Sequence, residues 1–102
     1  MHSKHRDGVQ VFIMDTGINI RHDDFDGRAT QDANFVGEES EEDLGGHGTH
    51  VAGIIGGTTF GVSKKVRLRS IKILDKYGDG TTVRLLQGKT SLYIFIYTLC
   101  VI

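Results

Sequence analysis

The chain has 102 residues, enough for one small domain. Its net charge of −1 at pH 7, with 38% hydrophobic and 25% charged residues, is typical of a globular protein and provides no electrostatic basis for binding nucleic acid or an anionic membrane. The single cysteine cannot form an internal disulfide, and residues 1–7 lack the apolar segment of a signal peptide, so neither feature indicates a compartment.

The first predicted element is a buried strand over residues 9–14, a nearly continuous run of β-branched and aromatic apolar residues. Asp15, Thr16 and Gly17 follow it directly. The carboxyl end of a buried strand is where open α/β sheets place their chemistry, but Asp-x-Gly is also ordinary turn sequence. Asp15 is therefore a candidate catalytic carboxylate or a turn residue.

A weaker strand is predicted over residues 28–36, and an acidic run over residues 37–43 follows it. Such a run is typical of a solvated loop, and a calcium site is the alternative interpretation. The Asp-x-Asp-x-Asp-Gly spacing of an EF-hand is absent from the run. The sequence therefore assigns no metal-binding residue there.

The next segment, GGHGTHVAG over residues 45–53, surrounds His47 with glycines. Glycines permit tight turns and close approach of the backbone to its neighbours. The residues from Thr49 to about Gly56 predict a helix, which puts His47 where a loop meets that helix. With an unperturbed pKa of about 6.5, the imidazole can exchange protons near neutral pH.

A second buried strand is predicted over residues 66–74, then a turn over residues 77–80 and a helix capped by Thr81. Strands that alternate with helices indicate a parallel α/β sheet. In such a sheet, Asp15 and His47 can converge above the strand ends. An aspartate bonded to one ring nitrogen fixes the histidine tautomer and leaves the other nitrogen free to take a proton from a nucleophile.

These segments resemble the subtilisin-like serine proteases, in particular their proteinase K-like branch. The resemblance extends from about residue 8 to residue 88 and rests on VFIMDTGI at 11–18, GHGTHVAG at 46–53, GVSKK at 61–65, IKILD at 71–75 and GDG at 78–80. It implies an α/β, parallel-sheet subtilisin-like fold with three αβα layers, which a chain of this length contains only in part.

The resemblance also implies a role for each matching residue. Asp15 would be the acid of an Asp-His-Ser catalytic triad, and His47 would be its general base. Leu74 would line a neighbouring side-chain subsite. The edge on which an extended peptide substrate lies by β-augmentation would be Gly78, Asp79 and Gly80.

Peptide or protein substrates follow from the same resemblance, with no cofactor evident and calcium expected only in a full-length family member. Most family members are secreted or vacuolar, so that location is expected of the intact protein. His50, three residues after His47, is assigned a structural role because no third metal ligand accompanies the two histidines. No feature indicates an oligomeric state.

Two parts of the family's catalytic machinery have no counterpart in the 102 residues. No Gly-Thr-Ser-Met-Ala-type nucleophile motif occurs, and Ser91, in the sequence GKTS, is not followed by the small residue of that motif. Both asparagines, Asn19 and Asn34, precede His47, whereas the family's oxyanion-hole asparagine follows the base. We therefore expect this chain by itself to be catalytically inactive.

The resemblance ends within a residue or two of Gly88. The family continues an amphipathic helix there, whereas this chain continues with β-branched and aromatic residues. The sequence therefore divides into residues 1–88, the N-terminal portion of a peptidase domain, and residues 89–102, a divergent apolar tail that is expected not to be native to that fold.

Two further hypotheses fit parts of the sequence. An apolar pair before Asp-Thr-Gly also occurs in dimeric aspartic proteases, in which each of two chains would contribute one aspartate, here Asp15. That hypothesis predicts mostly strands and leaves His47 unexplained. The other hypothesis is a non-catalytic truncated fragment or pseudo-protease, which would have the same predicted fold.

Overall fold

The computed structural model describes residues 9–90. Its elements in chain order are β1 (Gln10–Asp15), a single 3₁₀ turn (Asp23–Phe25), β2 (Ala29–Asn34), α1 (His47–Gly56) and β3 (Arg67–Lys72). A second helix, α2, contains residues 82–90. Residues 1–8 and 91–102, which include Ser91, Cys100 and most of the predicted divergent tail, lie outside the described residues.

The three strands form one parallel sheet in the order β1-β3-β2, with β3 in the centre. The register pairs Ile13 with Ser70 and Asp15 with Lys72, and β2 is irregular over residues 31–33. Because the strands are parallel, their carboxyl ends lie along one edge of the sheet. The predicted α/β class with a parallel sheet is confirmed.

The predicted strand bounds agree with the observed ones to within two residues. The ends of β2 and β3 differ most. The second strand was expected to extend to residue 36 and ends at Asn34, and β3 was expected to extend to Leu74 and ends at Lys72. The backbone N–H groups of Ile73 and Leu74 both donate to the carbonyl oxygen of Asp15, at 3.0 and 3.2 Å. This shared acceptor ends the regular ladder directly beside Asp15.

Helix α1 begins at His47, two residues earlier than predicted. Gly46 precedes it as the N-cap with a φ of 88°, a left-handed conformation that glycine adopts without a steric penalty. One side of α1 packs on the sheet, and the apolar core of this face consists of Ile13, Ile18, Phe25, Ala29, Ala52, Val66 and Leu68. At the other end of α1, a methyl group added to Gly56 would lie 2.8 Å from the Val66 side chain. This close packing holds the whole helix against β1 and β3.

Helix α2 packs on the opposite face of the sheet. A methyl group on Gly88 would lie 2.9 Å from the Met14 side chain. Met14 follows Ile13 along β1, and successive strand residues face opposite sides of a sheet. Helices therefore lie on both faces, as three αβα layers require. Neither α1 nor α2, within residues 9–90, is long and apolar enough to cross a membrane.

Candidate active site

The structure brings together the two residues that the sequence analysis singled out. Asp15 is the last residue of β1, and His47 is the first residue of α1. Nδ1 of His47 lies 2.9 Å from both carboxylate oxygens of Asp15. The Asp15 side chain is 11% exposed, whereas 67% of the His47 side chain is exposed. A largely buried carboxylate thus holds one edge of an imidazole whose other edge faces solvent.

The charge of this pair determines the state of the ring. An ionised carboxylate can only accept hydrogen bonds, so Nδ1 of His47 carries the proton that it shares with Asp15. The hydrogen bond to Asp15, and then the negative charge of that carboxylate, raise the pKa of the His47 imidazole above its ordinary 6.5. No group within residues 9–90 hydrogen-bonds Nε2. In the neutral ring, Nε2 is therefore an unoccupied base.

Two glycines allow His47 to approach β1 this closely. Gly48 is buried, and a methyl group on it would overlap the carbonyl oxygen of Gly17. Gly17 itself adopts a φ of 111°, which an L side chain rarely tolerates. Any larger residue at position 48 would push α1 away from the end of β1 and lengthen the distance between Asp15 and His47.

A further carboxylate, that of Asp43, organises this corner of the molecule. Its Oδ1 accepts hydrogen bonds from the Thr16 hydroxyl at 2.6 Å and from the Gly46 N–H at 2.7 Å. Its Oδ2 accepts from the N–H and the hydroxyl of Thr49, at 2.8 and 2.5 Å. The Thr16 oxygen accepts in turn from the Gly48 N–H at 2.8 Å. Asp43 therefore caps the first turn of α1 and ties it to the end of β1.

The role of Asp43 was not predicted from the sequence. The acidic run was predicted to be a solvated loop, and for this residue that prediction is wrong. Burial raises the pKa of the Asp43 carboxyl, but the hydrogen bonds from Thr16 and Thr49 outweigh that effect and hold the pKa below its ordinary 3.8. The available signal was an aspartate just before a helix whose first turn contains a threonine, since carboxylates are favoured at helix N-termini.

The acidic run is also tied to the central strand by a buried lysine. Lys72, whose side chain is 1% exposed, donates to the carbonyl oxygens of Ser40 and Glu42 at 2.8 and 2.6 Å. Its Nζ also lies 3.0 Å from Oε1 of Glu39. A hydrogen bond from the Lys76 N–H lowers the pKa of Glu39 below its ordinary 4.5, against the opposing effect of burial. Part of the predicted solvated loop is therefore turned inward.

The other histidine of the motif lies apart from this corner. His50 is exposed and lines a separate cavity of about 370 Å³ together with His22 and Asp24. In the described part of the chain, no group of three or more His, Cys, Asp or Glu side chains could hold a metal ion. The calcium alternative for the acidic run stays a hypothesis.

A cleft of about 310 Å³ opens beside His47 and includes two of the predicted substrate-binding residues. Leu74 and Gly78 line it, with Thr16, Gly45, His47, Lys76 and Tyr77. The other two, Asp79 and Gly80, are exposed and follow Gly78 in the chain but are not part of that lining. The structure therefore places Leu74 and Gly78 in the same cleft as His47 and leaves Asp79 and Gly80 at its margin.

The segment after Leu74 is a turn rather than a strand. The Asp75 N–H donates to the carbonyl of Asp79 at 2.8 Å, and the Gly78 N–H donates to the carbonyl of Asp75 at 2.9 Å. No strand pairing within residues 9–90 involves this segment. No described residue hydrogen-bonds the carbonyl of Gly78 or the N–H and carbonyl of Gly80. These three backbone groups can therefore pair with a ligand.

An Asp–His pair at the carboxyl edge of a parallel sheet is one arrangement with which hydrolases orient a histidine that activates a nucleophile. Comparison with known proteins narrows the class. The family model described as the subtilase family, Peptidase S8, matches residues 6–94. This chain therefore belongs to the subtilase family, whose members are serine endopeptidases.

Individual relatives agree with this assignment. A subtilisin-like proteinase of Encephalitozoon cuniculi is 54% identical over 81 residues, which cover 79% of this chain and 17% of the relative. A subtilisin-like protease of Coccidioides posadasii is 52% identical over 81 residues, covering 79% of this chain and 20% of the relative. The crystal structure of a cold-adapted subtilisin-like serine proteinase matches with 41% identity and a TM-score of 0.76, covering 79% of this chain and 30% of that one. The chain thus spans about a fifth of the length of the curated relatives it matches.

Neither the site nor the comparisons favour the aspartic-protease hypothesis. The carboxylate of Asp15 is engaged by His47, and α1 and α2 lie on a parallel sheet instead of the mostly stranded fold which that hypothesis predicts. The division of the chain at residue 88 stays a prediction. Helix α2 continues through residue 90, and the remaining residues of the predicted tail lie outside the described part.

Proposed function

We propose that this chain supplies the general base and one substrate-binding edge of a serine endopeptidase that acts on peptide or protein substrates. The observation that supports the proposal best is the 2.9 Å distance from Nδ1 of His47 to both oxygens of the buried Asp15 carboxylate. This contact orients the ring and leaves its exposed Nε2 as the proton acceptor.

In the proposed mechanism, Nε2 of His47 takes the hydroxyl proton of a serine as that oxygen attacks the substrate carbonyl. The ring becomes an imidazolium, and the carboxylate of Asp15 stabilises its positive charge. Nε2 then gives the proton to the leaving amine of the substrate, and Asp15 stays ionised throughout. The raised pKa of His47 supports this role because it reflects the same stabilisation of the protonated ring.

The proposed serine lies in sequence outside the 102 residues. No Gly-Thr-Ser-Met-Ala-type motif occurs within them, and no asparagine follows His47. In this proposal, the nucleophile and the oxyanion-hole donor therefore come from the part of the relatives' length that this chain does not span. The polypeptide of 102 residues is expected to be inactive by itself, which agrees with the non-catalytic hypothesis for the chain in isolation.

The proposed substrate edge is the backbone of residues 78–80. Three groups there bond to no residue in the described range 9–90, the Gly78 carbonyl and the Gly80 N–H and carbonyl, and both glycines are exposed. An extended peptide can pair with an N–H and carbonyl groups spaced in this way. Leu74, which lines the cleft beside His47, would then contact a substrate side chain. A secreted or vacuolar location and calcium sites in the intact protein remain expectations.

A serine-directed phosphonate probe tests this proposal. We expect it to label a serine in the protein as it occurs in its source, and His47→Ala to abolish that labelling. His50→Ala is the matched control and should preserve it, because His50 is exposed and lines a different cavity. The 102-residue polypeptide alone should stay unlabelled. Labelling of the source protein that survives His47→Ala, or stoichiometric labelling of Ser91, would contradict the proposal.

A further inference from the structure

One carboxylate is hydrogen-bonded to residues on both sides of the catalytic pair. Asp43 accepts four hydrogen bonds within residues 9–90, and their donors are the hydroxyl of Thr16, the N–H of Gly46, and the N–H and hydroxyl of Thr49. Thr16 follows Asp15 directly, and Gly46 precedes His47 directly. Within residues 9–90, no hydrogen bond joins Asp43 to the His47 ring or to the Asp15 carboxylate.

We propose that Asp43 is a positioning residue for the general base, which holds the end of β1 and the first turn of α1 at the separation that the bond between Asp15 and His47 requires. The inference rests on the proposed function, because it concerns the same pair. It assigns a role to a residue outside that pair and outside the substrate-binding edge.

The path from Asp43 to Asp15 is short and consists of hydrogen bonds. The hydroxyl of Thr16 donates to Asp43 at 2.6 Å and accepts from the Gly48 N–H at 2.8 Å, so it joins the two elements. The backbone N–H of Thr16 donates to Oδ1 of Asp15 at 2.7 Å. Thr16 is 1% exposed, so water cannot replace these bonds easily. A shift of Thr16 would therefore displace the Asp15 carboxylate.

The path from Asp43 to His47 passes through the start of α1. Its hydrogen bonds to the N–H groups of Gly46 and Thr49 satisfy donors that have no partner within the helix. The positive end of the helix dipole would favour a neutral imidazole at this position, and a carboxylate beside it opposes that effect. The negative charge of Asp43 contributes to the raised pKa of His47, after the larger contribution of Asp15.

Asp43 is itself held in place by the loop that carries it. The buried Nζ of Lys72 binds the carbonyl oxygens of Ser40 and Glu42, which are close neighbours of Asp43 in the chain. Lys72 is also the register partner of Asp15 in the sheet. The loop of residues 37–43, the central strand β3 and the end of β1 are thus bonded to one another beside the catalytic pair. Asp43 is the residue of this loop that contacts α1.

The test is an NMR titration of the His47 imidazole in the 102-residue chain. Five variants are compared with the parent: Asp43→Asn, Thr16→Val, Thr16→Ser, Glu41→Gln and Asp15→Asn. We expect Asp43→Asn to lower the pKa of His47 toward 6.5, the value of an unperturbed histidine. Thr16→Val removes no charge, so a fall there reports positioning alone. Thr16→Ser keeps the hydroxyl and should restore the parent pKa.

Glu41→Gln is the matched control. It removes one charge from the same acidic run, but the Glu41 side chain is exposed and makes no hydrogen bond or ion pair to a described residue. It should leave the pKa of His47 unchanged. If Glu41→Gln lowered the pKa of His47 as much as Asp43→Asn does, only the net charge of the acidic run would matter, and the proposal would be overturned.

Asp15→Asn distinguishes a failure of the positioning role of Asp43 from a failure of the proposed function. If Asp15→Asn lowers the pKa of His47 while Asp43→Asn and Thr16→Val leave it unchanged, the positioning role is wrong and the proposed function stands. If Asp15→Asn itself has no effect, the proposed function fails. Each variant's amide spectrum reports its fold. Unfolding of both Asp43→Asn and Thr16→Val would assign Asp43 to stability alone and contradict the proposal.

Discussion

Two regions meet at the carboxyl edge of the sheet, and they are built in different ways. The corner that contains Asp15 and His47 is bonded between distant parts of the sequence, as in the contact from Thr16 to Asp43. The segment of residues 75–80 is mostly exposed and is bonded mainly within itself, chiefly through Asp75, with one bond to a distant residue, from the Lys76 N–H to Glu39. The first region is fixed by the fold, whereas the second is a local turn attached to it.

In the proposed function, the difference corresponds to two chemical tasks. A general base must be held in one orientation, because a displacement of about 1 Å can cost a large part of catalysis. A peptide-binding edge needs unpaired backbone groups, which the Gly78 carbonyl and the Gly80 N–H provide within the described structure. The variants below test whether the stability of the protein depends on the contacts of the corner and not on those of the turn.

The largest effect is expected from Gly48→Ala. The added methyl group overlaps the carbonyl oxygen of Gly17 and forces α1 away from β1, which should destabilise the fold by about 3 kcal/mol or more. Gly53→Ala in the same helix is the control, because an added methyl group there has no neighbour within 4 Å. It should stabilise the helix by about 0.5–1 kcal/mol. Urea unfolding of both variants measures the difference, and equal midpoints would contradict the close contact.

A matched pair of lysines compares the two regions directly. Lys72→Met leaves the Glu39 carboxylate and two loop carbonyls without their buried cation, so it should lower the free energy of unfolding substantially. Lys76→Met removes an exposed charge from the turn and should change that free energy by less than about 0.5 kcal/mol. Both are measured by urea unfolding at neutral pH. If Lys76→Met lowered the free energy of unfolding as much as Lys72→Met does, the turn would be held by contacts between distant residues, as the corner is.

The corner should also give the protein a defined pH dependence. The pKa of Asp43 is lowered by folding, so its stabilising contribution is complete above pH 3.8 and is lost as the pH falls through the folded pKa. His47 has the opposite sign: its pKa is raised, and its contribution is complete below pH 6.5 and lost as the pH rises through the folded pKa.

Unfolding midpoints measured from acid to alkaline pH check both signs. Asp43→Asn should reduce the loss of stability below pH 3.8, and His47→Gln should reduce the loss above pH 6.5. If both variants gave pH profiles parallel to that of the parent protein, the pKa of neither group would differ between the folded and unfolded states.

The last comparison concerns a specific effect on binding, which is expected from the turn. Gly80→Pro removes an N–H group that bonds to no described residue, and its Cβ would lie 2.6 Å from the Leu74 side chain. Gly80→Ala adds the same Cβ but keeps the N–H, so it is the control, and binding of an extended peptide should be weaker in Gly80→Pro than in Gly80→Ala. NMR chemical-shift changes on peptide titration measure binding, and equal affinities in both variants would exclude the Gly80 N–H as a substrate contact.

Several features of this fold could be predicted because they depend on local sequence. The apolar run before Asp15 predicted β1, and the glycines around His47 predicted a close approach at a helix start. Gly48 shows why that frame is needed, since no other residue fits against Gly17. The pairing of Asp15 with His47 was inferred from two element ends that a parallel sheet brings together.

The contacts that the sequence did not predict join residues far apart in the chain. Asp43 and Glu39 belong to an acidic run that is typical of a solvated loop, and only the folded structure shows that their side chains face inward. Lys72 stands in an apolar strand pattern, and its partners are mostly loop carbonyls, which leave no side-chain signature. The end of β3 was missed for a similar reason, because it depends on the backbone carbonyl of Asp15.

The central claim is that Asp15 holds His47 with Nδ1 protonated and Nε2 free. Long-range ¹H–¹⁵N correlation of the ¹⁵N-labelled imidazole in the 102-residue chain, recorded above the pKa of His47, tests it directly. The account predicts that Nδ1 carries the proton, and that Asp15→Asn weakens this preference. A neutral ring protonated at Nε2 in the parent protein would contradict the account, because that nitrogen could not then accept a proton from a nucleophile.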